Sequence, residues 1–394
     1  MKNQAWIKKL LNEKAEEGRL RALTERPGPG GIFFRGGKEI LNFSSNDYLN
    51  FSNQSLIRET ISREVLLDGV AACSARLVTG TFKAHDLLEQ KLARYFGFES
   101  SLMFGAGYLV NLGVVSAICG RDDVIVADKL VHASMIDGAV LSRAQLRRFN
   151  HNDVEHCRAV LESVSKTRKP TQKLLLMTES VFSMDGDQAP LFELSKLARE
   201  FDAFFLVDEA HALGVFGPNG AGLVKGQNLT SEVDAITSTC SKSFASYGGL
   251  LASSNDLKNL CLNVSRPFIY NTALPQVLVN ANLVALSLLE EQSELGTELL
   301  RRAEFFRGIL KGSGLETLES SSHIVPVVLG SAEKVLKVSR LLEEKNIIAS
   351  PMRPPTVPEG SERIRFSITL AHLEEHLRFV AETLIDILRK EGFL

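Results

Sequence analysis

The 394-residue chain lacks a charge imbalance. Its formal net charge is −2 at pH 7, so there is no basic surface of the kind that nucleic acid or an anionic membrane attracts. Long apolar runs are missing too. Leu174-Leu175-Leu176-Met177 is typical, and it falls far short of a membrane span. Residues 1–14 alternate charge with apolar side chains and hold no signal-peptide core. The five cysteines (Cys73, Cys119, Cys157, Cys240 and Cys261) are odd in number and show no Cys-x-x-Cys spacing. That argues against a disulfide framework or a zinc site, and it predicts a protein of the reducing cytoplasm. Cys240 reads as a small buried filler, the commoner role of a free cysteine. No Gly-x-Gly-x-x-Gly opens a first βα unit and no P-loop is present, which sets aside the dinucleotide-binding dehydrogenases and the P-loop nucleotide hydrolases. His132, His151, His156 and His211 lack the compact spacing of a metal site. Repeats and low-complexity segments are absent.

What remains is an ordinary globular composition, 44% apolar and 23% charged, long enough for two domains. Residues 1–26 have Trp6, Ile7, Leu10, Leu11, Ala15 and Leu20 at helical spacing, ended by Pro27-Gly28-Pro29-Gly30-Gly31. Strands are predicted over 32–35 and 39–43, and helices over 54–96 in two pieces. Short apolar runs at 101–104, 124–127, 145–149, 173–177, 203–207 and 235–239 then alternate with helical segments such as 153–166 and 191–201. Runs apolar throughout suit strands covered on both faces, and the alternation suits parallel βα units. Beyond Pro275 the spacing predicts a long helical stretch to about residue 313. Strands at 324–329, 347–349 and 363–368 follow, with helices over 332–345 and 372–389. The expected fold is α/β: a large domain whose mostly parallel sheet is sandwiched by helices, plus a smaller C-terminal α+β domain. Its parts are an N-terminal helical arm with small strands (1–45), the large domain (46–278) and the C-terminal domain (279–394).

In such sheets ligands sit beyond the carboxyl ends of the strands. There the sequence places Gly105-Ala106-Gly107-Tyr108, Asp128 and His132, Thr178, Glu179, Ser183 and Asp185, Asp208 and His211, and Lys242 after Thr239. Taken singly, each has a plain explanation. A Ser-Lys is ordinarily a surface loop, Asp208 a helix N-cap, a histidine a satisfied core residue, and a hydroxyl a turn cap. Their convergence on one sheet edge is stronger than any single motif. A lysine held in a folded interior can form a Schiff base with a carbonyl cofactor. Pyridoxal phosphate fits the rest. An aspartate can keep its pyridine nitrogen protonated, and the N-terminus of a Gly-rich helix can take its phosphate. His132 can stack on its ring, and His211 can reach its ring hydroxyl.

The residues Asn42-Phe43-Ser44-Ser45-Asn46-Asp47-Tyr48-Leu49, the segment 128–134 with His132, Thr178-Glu179-Ser180-Val181-Phe182-Ser183-Met184-Asp185-Gly186-Asp187, Val207-Asp208-Glu209-Ala210-His211 and Thr239-Cys240-Ser241-Lys242 resemble the α-oxoamine synthases, a family of fold-type I pyridoxal-phosphate enzymes. The resemblance covers almost the whole chain. It implies that Lys242 forms the internal aldimine and later acts as base, that Asp208 pairs with the pyridinium nitrogen and that His132 stacks on the ring. His211 and Ser183 would contact the ring hydroxyl region; Gly107, Tyr108 and Thr239 would place the cofactor and its phosphate. Thr272 matches a segment that reaches the phosphate of the neighbouring subunit, which implies a homodimer with shared active sites. Arg21, Asn46, His132 and Thr356 match substrate contacts. Arg363 matches the arginine for the amino-acid carboxylate, although the spacing also permits Arg365. Within the family, Arg353-Pro354-Pro355-Thr356-Val357-Pro358 and the segment 146–153 resemble the branch that condenses L-alanine with a pimeloyl thioester in biotin synthesis, its acyl carrier being coenzyme A or an acyl carrier protein. Other pairs in the family, glycine with acetyl-coenzyme A or a longer acyl chain, are the alternative. A catalytically idle homologue that acts as a binding partner is the alternative from another class. Ala71-Ala72-Cys73-Ser74-Ala75-Arg76 departs from the more glycine-rich run usual in the family.

Overall fold

The amphipathic N-terminal pattern forms a helix only over Ala5–Glu16, shorter than the expected 1–26. None of its residues is buried, and Leu20 and Leu23 beyond it are exposed as well. With no apolar face buried, nothing rewards extension of a helix already near the marginal length. The computed structural model describes residues 4–17, 19–26 and 28–394; residues 1–3 and Gly18 of the expected helix, and Pro27 of the expected loop, lie outside them.

Contacts divide the chain into two units. One comprises Met1–Ser45, Met184–Gly186 and Arg301–Leu394; the other comprises Asn46–Ser183 and Asp187–Leu300. The first unit opens with strands β1 (Ile32–Arg35) and β2 (Lys38–Asn42), an antiparallel hairpin. Its turn, Gly36-Gly37, has φ of 59° and 76°, a conformation in which glycine carries no Cβ penalty.

The larger unit is built on seven strands: β3 (Ser100–Phe104), β4 (Val124–Asp128), β5 (Gln145–Phe149), β6 (Leu174–Glu179), β7 (Phe204–Asp208), β8 (Ala235–Thr239) and β9 (Gly249–Ser253). They lie in the order β3-β9-β8-β7-β6-β4-β5. Strands β5, β4, β6, β7 and β8 run parallel; β9 is antiparallel to both β8 and β3. The reason for the reversal lies in the link. Only nine residues, Cys240 to Gly248, join β8 to β9, too few for the crossover that a parallel neighbour needs. Alternate residues of each strand face opposite sides, and both sets are buried. Leu175 and Met177 pack with Val114, Val115 and Met135 in one core. Leu174 and Leu176 on the other face are no more than 2% exposed. Helices Gly107–Ile118 and Ala133–Ser142 lie against the first face, and Val154–Ser165 and Leu191–Glu200 contact strands of the same sheet. The sandwiched, mostly parallel sheet expected from the apolar runs is therefore present.

The long helical stretch expected after Pro275 is two helices, Gln276–Glu291 and Leu295–Gly312. A Cβ at Gly296 would meet the Val215 carbonyl oxygen at 2.1 Å, so the chain restarts where only glycine fits. The first helix packs on Ser55–Asp68 and Lys83–Phe96 within the large unit, and Asn280 Nδ2 donates to Glu64 Oε2 at 2.8 Å. The expected boundary after residue 278 thus falls inside a helix of that unit. In the smaller unit β10 (Ile324–Val328), β12 (Ser350–Met352) and β13 (Arg363–Ser367) form an antiparallel sheet, while β11 (Ile347–Ile348) joins β2 in parallel. Its core holds Phe43 stacked on His372 at 4.0 Å, with Phe306 and Phe366 around them.

Two glycines make opposite predictions. A Cβ at Gly249 would come within 2.3 Å of the Ala106 carbonyl oxygen, so Gly249→Ala should lower stability by about 3 kcal/mol through overpacking. Gly308 lies inside a helix with open space at its Cβ position, so Gly308→Ala should raise stability by about 0.5–1 kcal/mol. Urea unfolding of the two variants checks both signs.

Candidate active site

The nine-residue link between β8 and β9 is pinned to the sheet edge before its lysine does anything. Cys240 N–H donates to the Gly248 carbonyl at 2.9 Å, and Ser246 N–H to the Cys240 carbonyl at 3.0 Å. Ser243 Oγ donates to the Leu213 carbonyl at 2.5 Å, and Phe244 is fully buried. These contacts leave Lys242 half-buried with Nζ 2.9 Å from His211 Nε2. His211 Nδ1 lies 2.7 Å from Tyr48 Oη, which donates to Asn46 Oδ1 at 3.2 Å. His211 thus bridges the Tyr48 hydroxyl and the Lys242 amine through its two ring nitrogens.

Lys242 and His211 line a cavity of about 240 Å³ together with Gly107, Tyr108, Asn111, His132, Ser134, Glu179, Asp208, Ser238, Thr239 and Ser241, among others. Asp208 ends β7. Its Oδ2 accepts from Asn111 Nδ2 at 2.6 Å and its Oδ1 from the Ala210 N–H at 2.8 Å. Asn111 is held in turn by Thr237 Oγ1, which donates to its Oδ1 at 2.6 Å. His132 caps Ala133–Ser142, with Nδ1 accepting from Ser134 N. Desolvation lowers its pKa; the Asp208 charge opposes this and Lys242 reinforces it. The result is a neutral ring in the cavity wall. In the same wall, the first N–H groups of Gly107–Ile118 have no partner within that helix, and Thr239 Oγ1 and Ser241 Oγ lie 2.8 Å apart.

The structure brings together Lys242, His132, Asp208, Gly107, Tyr108, His211 and Thr239 of the expected set. Asn46 stands behind His211, through Tyr48. Ser183 and Thr272 are not among the residues of the cavity wall. Thr272 instead bridges Ala75 in an antiparallel pair, which fixes the segment expected to face a second subunit. Arg21, Thr356 and Arg363 belong to the smaller unit, where Arg21 Nη2 donates to Thr356 Oγ1 at 3.3 Å. Arg363 is 4% exposed and ion-paired with Asp185; it also donates to the Ser361 carbonyl. Arg365 is 4% exposed and donates to Ser367 Oγ. Of the arginines between 353 and 365, Arg353 is the one that keeps solvent access; it donates to the Leu20 carbonyl at 3.2 Å. The sequence singles out neither Asn111 nor Ser134; it places Glu179 at the strand ends and Tyr48 in a family motif, with no role for either. Asn111 sits mid-helix, and only its position one turn beyond Gly107 hinted at the cavity.

His151, half-buried, is clamped between two carboxylates. Its Nδ1 meets Asp128 Oδ1 at 3.0 Å and its Nε2 meets Asp187 Oδ2 at 2.8 Å. Burial alone would lower its pKa, but the two carboxylates outweigh it and raise the value to about 9.

The chain matches the family model for aminotransferase class I and II over residues 38–384, and it belongs to that family. Within it, the chain is a member of the α-oxoamine synthases, fold-type I pyridoxal-phosphate enzymes, and is an acyltransferase. A relative from Geobacter metallireducens, named 8-amino-7-oxononanoate synthase, is 37% identical over 370 residues, covering 93% of each chain. Among solved structures, serine palmitoyltransferase from S. paucimobilis, with a bound pyridoxal phosphate–myriocin adduct, superposes with a TM-score of 0.90. It is 27% identical and is covered to 98%, with 99% of this chain matched. An 8-amino-7-oxononanoate synthase from Francisella tularensis superposes at 0.76, with 26% identity over 90% of this chain and 99% of that one.

The cavity fits the family's cofactor. A Cβ at Gly107 would lie 2.8 Å from Thr239 Cβ, so the cradle at the helix start tolerates only glycine. Ser238 Oγ and Glu179 Oε1, both in the wall, are buried without a hydrogen-bond partner among the described residues. Such atoms call for a polar ligand.

The clamp sets a pH dependence. A histidine whose folded pKa is raised from 6.5 to about 9 contributes stability fully below about pH 6.5 and loses it as pH rises through 9. That rise corresponds to about 3 kcal/mol at most. The urea midpoint should fall between pH 7 and 10, and His151→Gln should flatten that fall.

Proposed function

We propose that the protein condenses L-alanine with a pimeloyl thioester, releasing the thiol carrier and carbon dioxide to form 8-amino-7-oxononanoate, a step of biotin synthesis. The near full-length match to relatives of that name carries the substrate reading. The gathering of Lys242, His211, Asp208 and His132 on one cavity supports the chemistry. The cofactor is pyridoxal 5′-phosphate; when bound, it supplies the carbonyl that an amine captures and the electron sink for a negative charge at Cα. Lys242 offers the amine, and once released it takes the Cα proton of alanine. His211 orients that amine. Asp208, fixed by Asn111 and Ala210, offers its charge to the ring nitrogen, and His132 offers its ring face. Gly107 and Tyr108 N–H groups with Thr239 would hold the phosphate, joined by Thr272 of a second subunit in a homodimer. Ser183 and Asn46 would serve the ring hydroxyl and the substrate. The nucleophilic Cα forms a bond to the acyl carbon as the C–S bond breaks and the thiol leaves with a proton; the alanine carboxyl then departs as carbon dioxide, and a proton takes its place at Cα. A cytoplasmic location and a carrier of coenzyme A or acyl carrier protein complete the reading. No helix among the described residues is long and apolar enough to cross a membrane.

A second reading has a specific observation behind it. Serine palmitoyltransferases superpose at up to 0.91 and the oxononanoate synthase structure at 0.76, so a longer acyl chain is the reading to test against the first. Thiol release measured for alanine with pimeloyl, serine with palmitoyl and glycine with acetyl thioesters decides between them. The alanine–pimeloyl pair should be fastest; release with another pair alone would overturn the first reading. Lys242→Ala should lose the visible cofactor band and at least about 10³-fold in turnover, the scale of a lost general base.

For the alanine carboxylate, Arg363 must first give up Asp185, whereas Arg353 keeps solvent access while donating to the Leu20 carbonyl. Arg353→Gln should raise the KM for alanine about tenfold with stability kept, as expected for a lost charge-assisted pair. Arg363→Gln should cost about 3 kcal/mol of stability, because it removes a buried guanidinium from its ion pair with the partly buried Asp185. A raised KM in the Arg363 variant alone would restore the role to Arg363. Initial rates and urea unfolding separate the two.

A further inference from the structure

At the carboxyl ends of β6 and β7, two acidic residues stand side by side. Glu179 and Asp208 are Cα partners across the parallel pair. Both are buried, 2% and 5% exposed, and both line the cavity that holds Lys242. Their hydrogen bonding differs. Asp208 has a donor on each oxygen, Asn111 Nδ2 and the Ala210 N–H. Glu179 receives the backbone N–H of His132, but its Oε1 has no partner among the described residues. Two neighbouring buried carboxyls do not both ionise, and the better-solvated one keeps the charge.

We propose that Glu179 stands in the cavity as a neutral carboxylic acid whose Oε1–H donates a hydrogen bond to an oxygen acceptor of the bound ligand, so that Glu179 and Asp208 together carry one negative charge. The acceptor is an oxygen of the cofactor or of the substrate held against it; in naming these ligands the inference rests on the pyridoxal-phosphate reading above. The charged groups facing Glu179 agree on balance. Burial raises its pKa well above the usual carboxylate range, Asp208 and Asp128 add to that, and Lys242 opposes it. A fixed neutral donor suits a site in which Asp208 must stay the single anion near the ring nitrogen. A second carboxylate would compete with Asp208 for that proton and repel an oxygen acceptor.

Infrared difference spectra of wild type minus Glu179→Gln, taken near pH 8, test the protonation state without any turnover. At that pH Glu209, pushed up to about 7 by burial, is largely ionised in both proteins and cancels. The expected result is a protonated-carboxyl C=O band in wild type that Glu179→Gln lacks. The band should move to lower frequency on adding pyridoxal phosphate if the cofactor is the acceptor, or only on adding alanine and thioester if the substrate is. No such band, or a band that neither ligand moves, overturns the proposal. In the holoenzyme the pH midpoint of the visible band should be unchanged in Glu179→Gln, which keeps a neutral donor, and displaced in Glu179→Leu, which does not. A tenfold or larger change in proton affinity in Glu179→Gln would mean that a negative charge had been removed, and would overturn the proposal. If Glu179→Gln does not fold, ligand-induced shifts of the carboxyl band in wild type still decide. A wild-type protein with no visible band at all would sink the cofactor reading, while the cofactor-free infrared band would still report on Glu179.

Discussion

The contact on which the site turns is the one between Lys242 Nζ and His211 Nε2, 2.9 Å apart. It exists because the link from β8 to β9 is too short for a crossover. The chain must double back at the sheet edge, and the lysine is left at the turn, facing the loop that follows β7. Ser243 ties that turn to Leu213, while Tyr48 reaches His211 from a distant stretch of chain. A flexible lysine on a free loop would sample many rotamers at an entropic cost. Here the backbone on both sides has already been fixed by β-pairing.

Around that contact the cavity sorts charge by local hydrogen bonding rather than by residue type. Asp208 has two donors, and Asn111, which supplies one of them, is itself anchored by Thr237. Glu179, on the neighbouring strand, is denied that company on Oε1. His132 is drawn toward neutrality by desolvation, which suits a ring meant to stack rather than repel. His151, a short way along the same edge, goes the other way because two carboxylates hold it. Two histidines and two carboxyls thus take opposite states at one end of one sheet. The cause is which donors and acceptors the strand ends deliver.

The smaller unit supplies a different lesson about arginines. Arg363 and Arg365 alternate along β13 and therefore point to the same face, as strand periodicity requires. Both are buried, and Arg363 is neutralised by Asp185. A buried arginine with a carboxylate partner is a structural element first. Arg353 lies in the loop before that strand, keeps solvent access and donates to the Leu20 carbonyl. The distinction matters for substrate recognition, because a guanidinium must be within reach of a carboxylate to form a charge-assisted pair with it.

Periodicity and composition alone determined the class of fold. Runs such as 174–177 and 204–207 could be so uniformly apolar only if both faces were covered, and their alternation with helices implied parallel strands. The identity of the motifs, together with the rule that ligands gather at strand carboxyl ends, made Lys242, Asp208, His132 and His211 legible as one site. Other features depended on partners far away in the chain. The break before Gly296 answers to the backbone of Val215. The N-terminal helix stops early because nothing covers it. The donors on Asp208, the occupied state of Arg363 and the unpartnered oxygen of Glu179 follow from contacts across dozens of residues or more. Sequence patterns report which face of an element is buried; they do not report which hydrogen bonds a buried polar group finds, and only the assembled tertiary structure decided those.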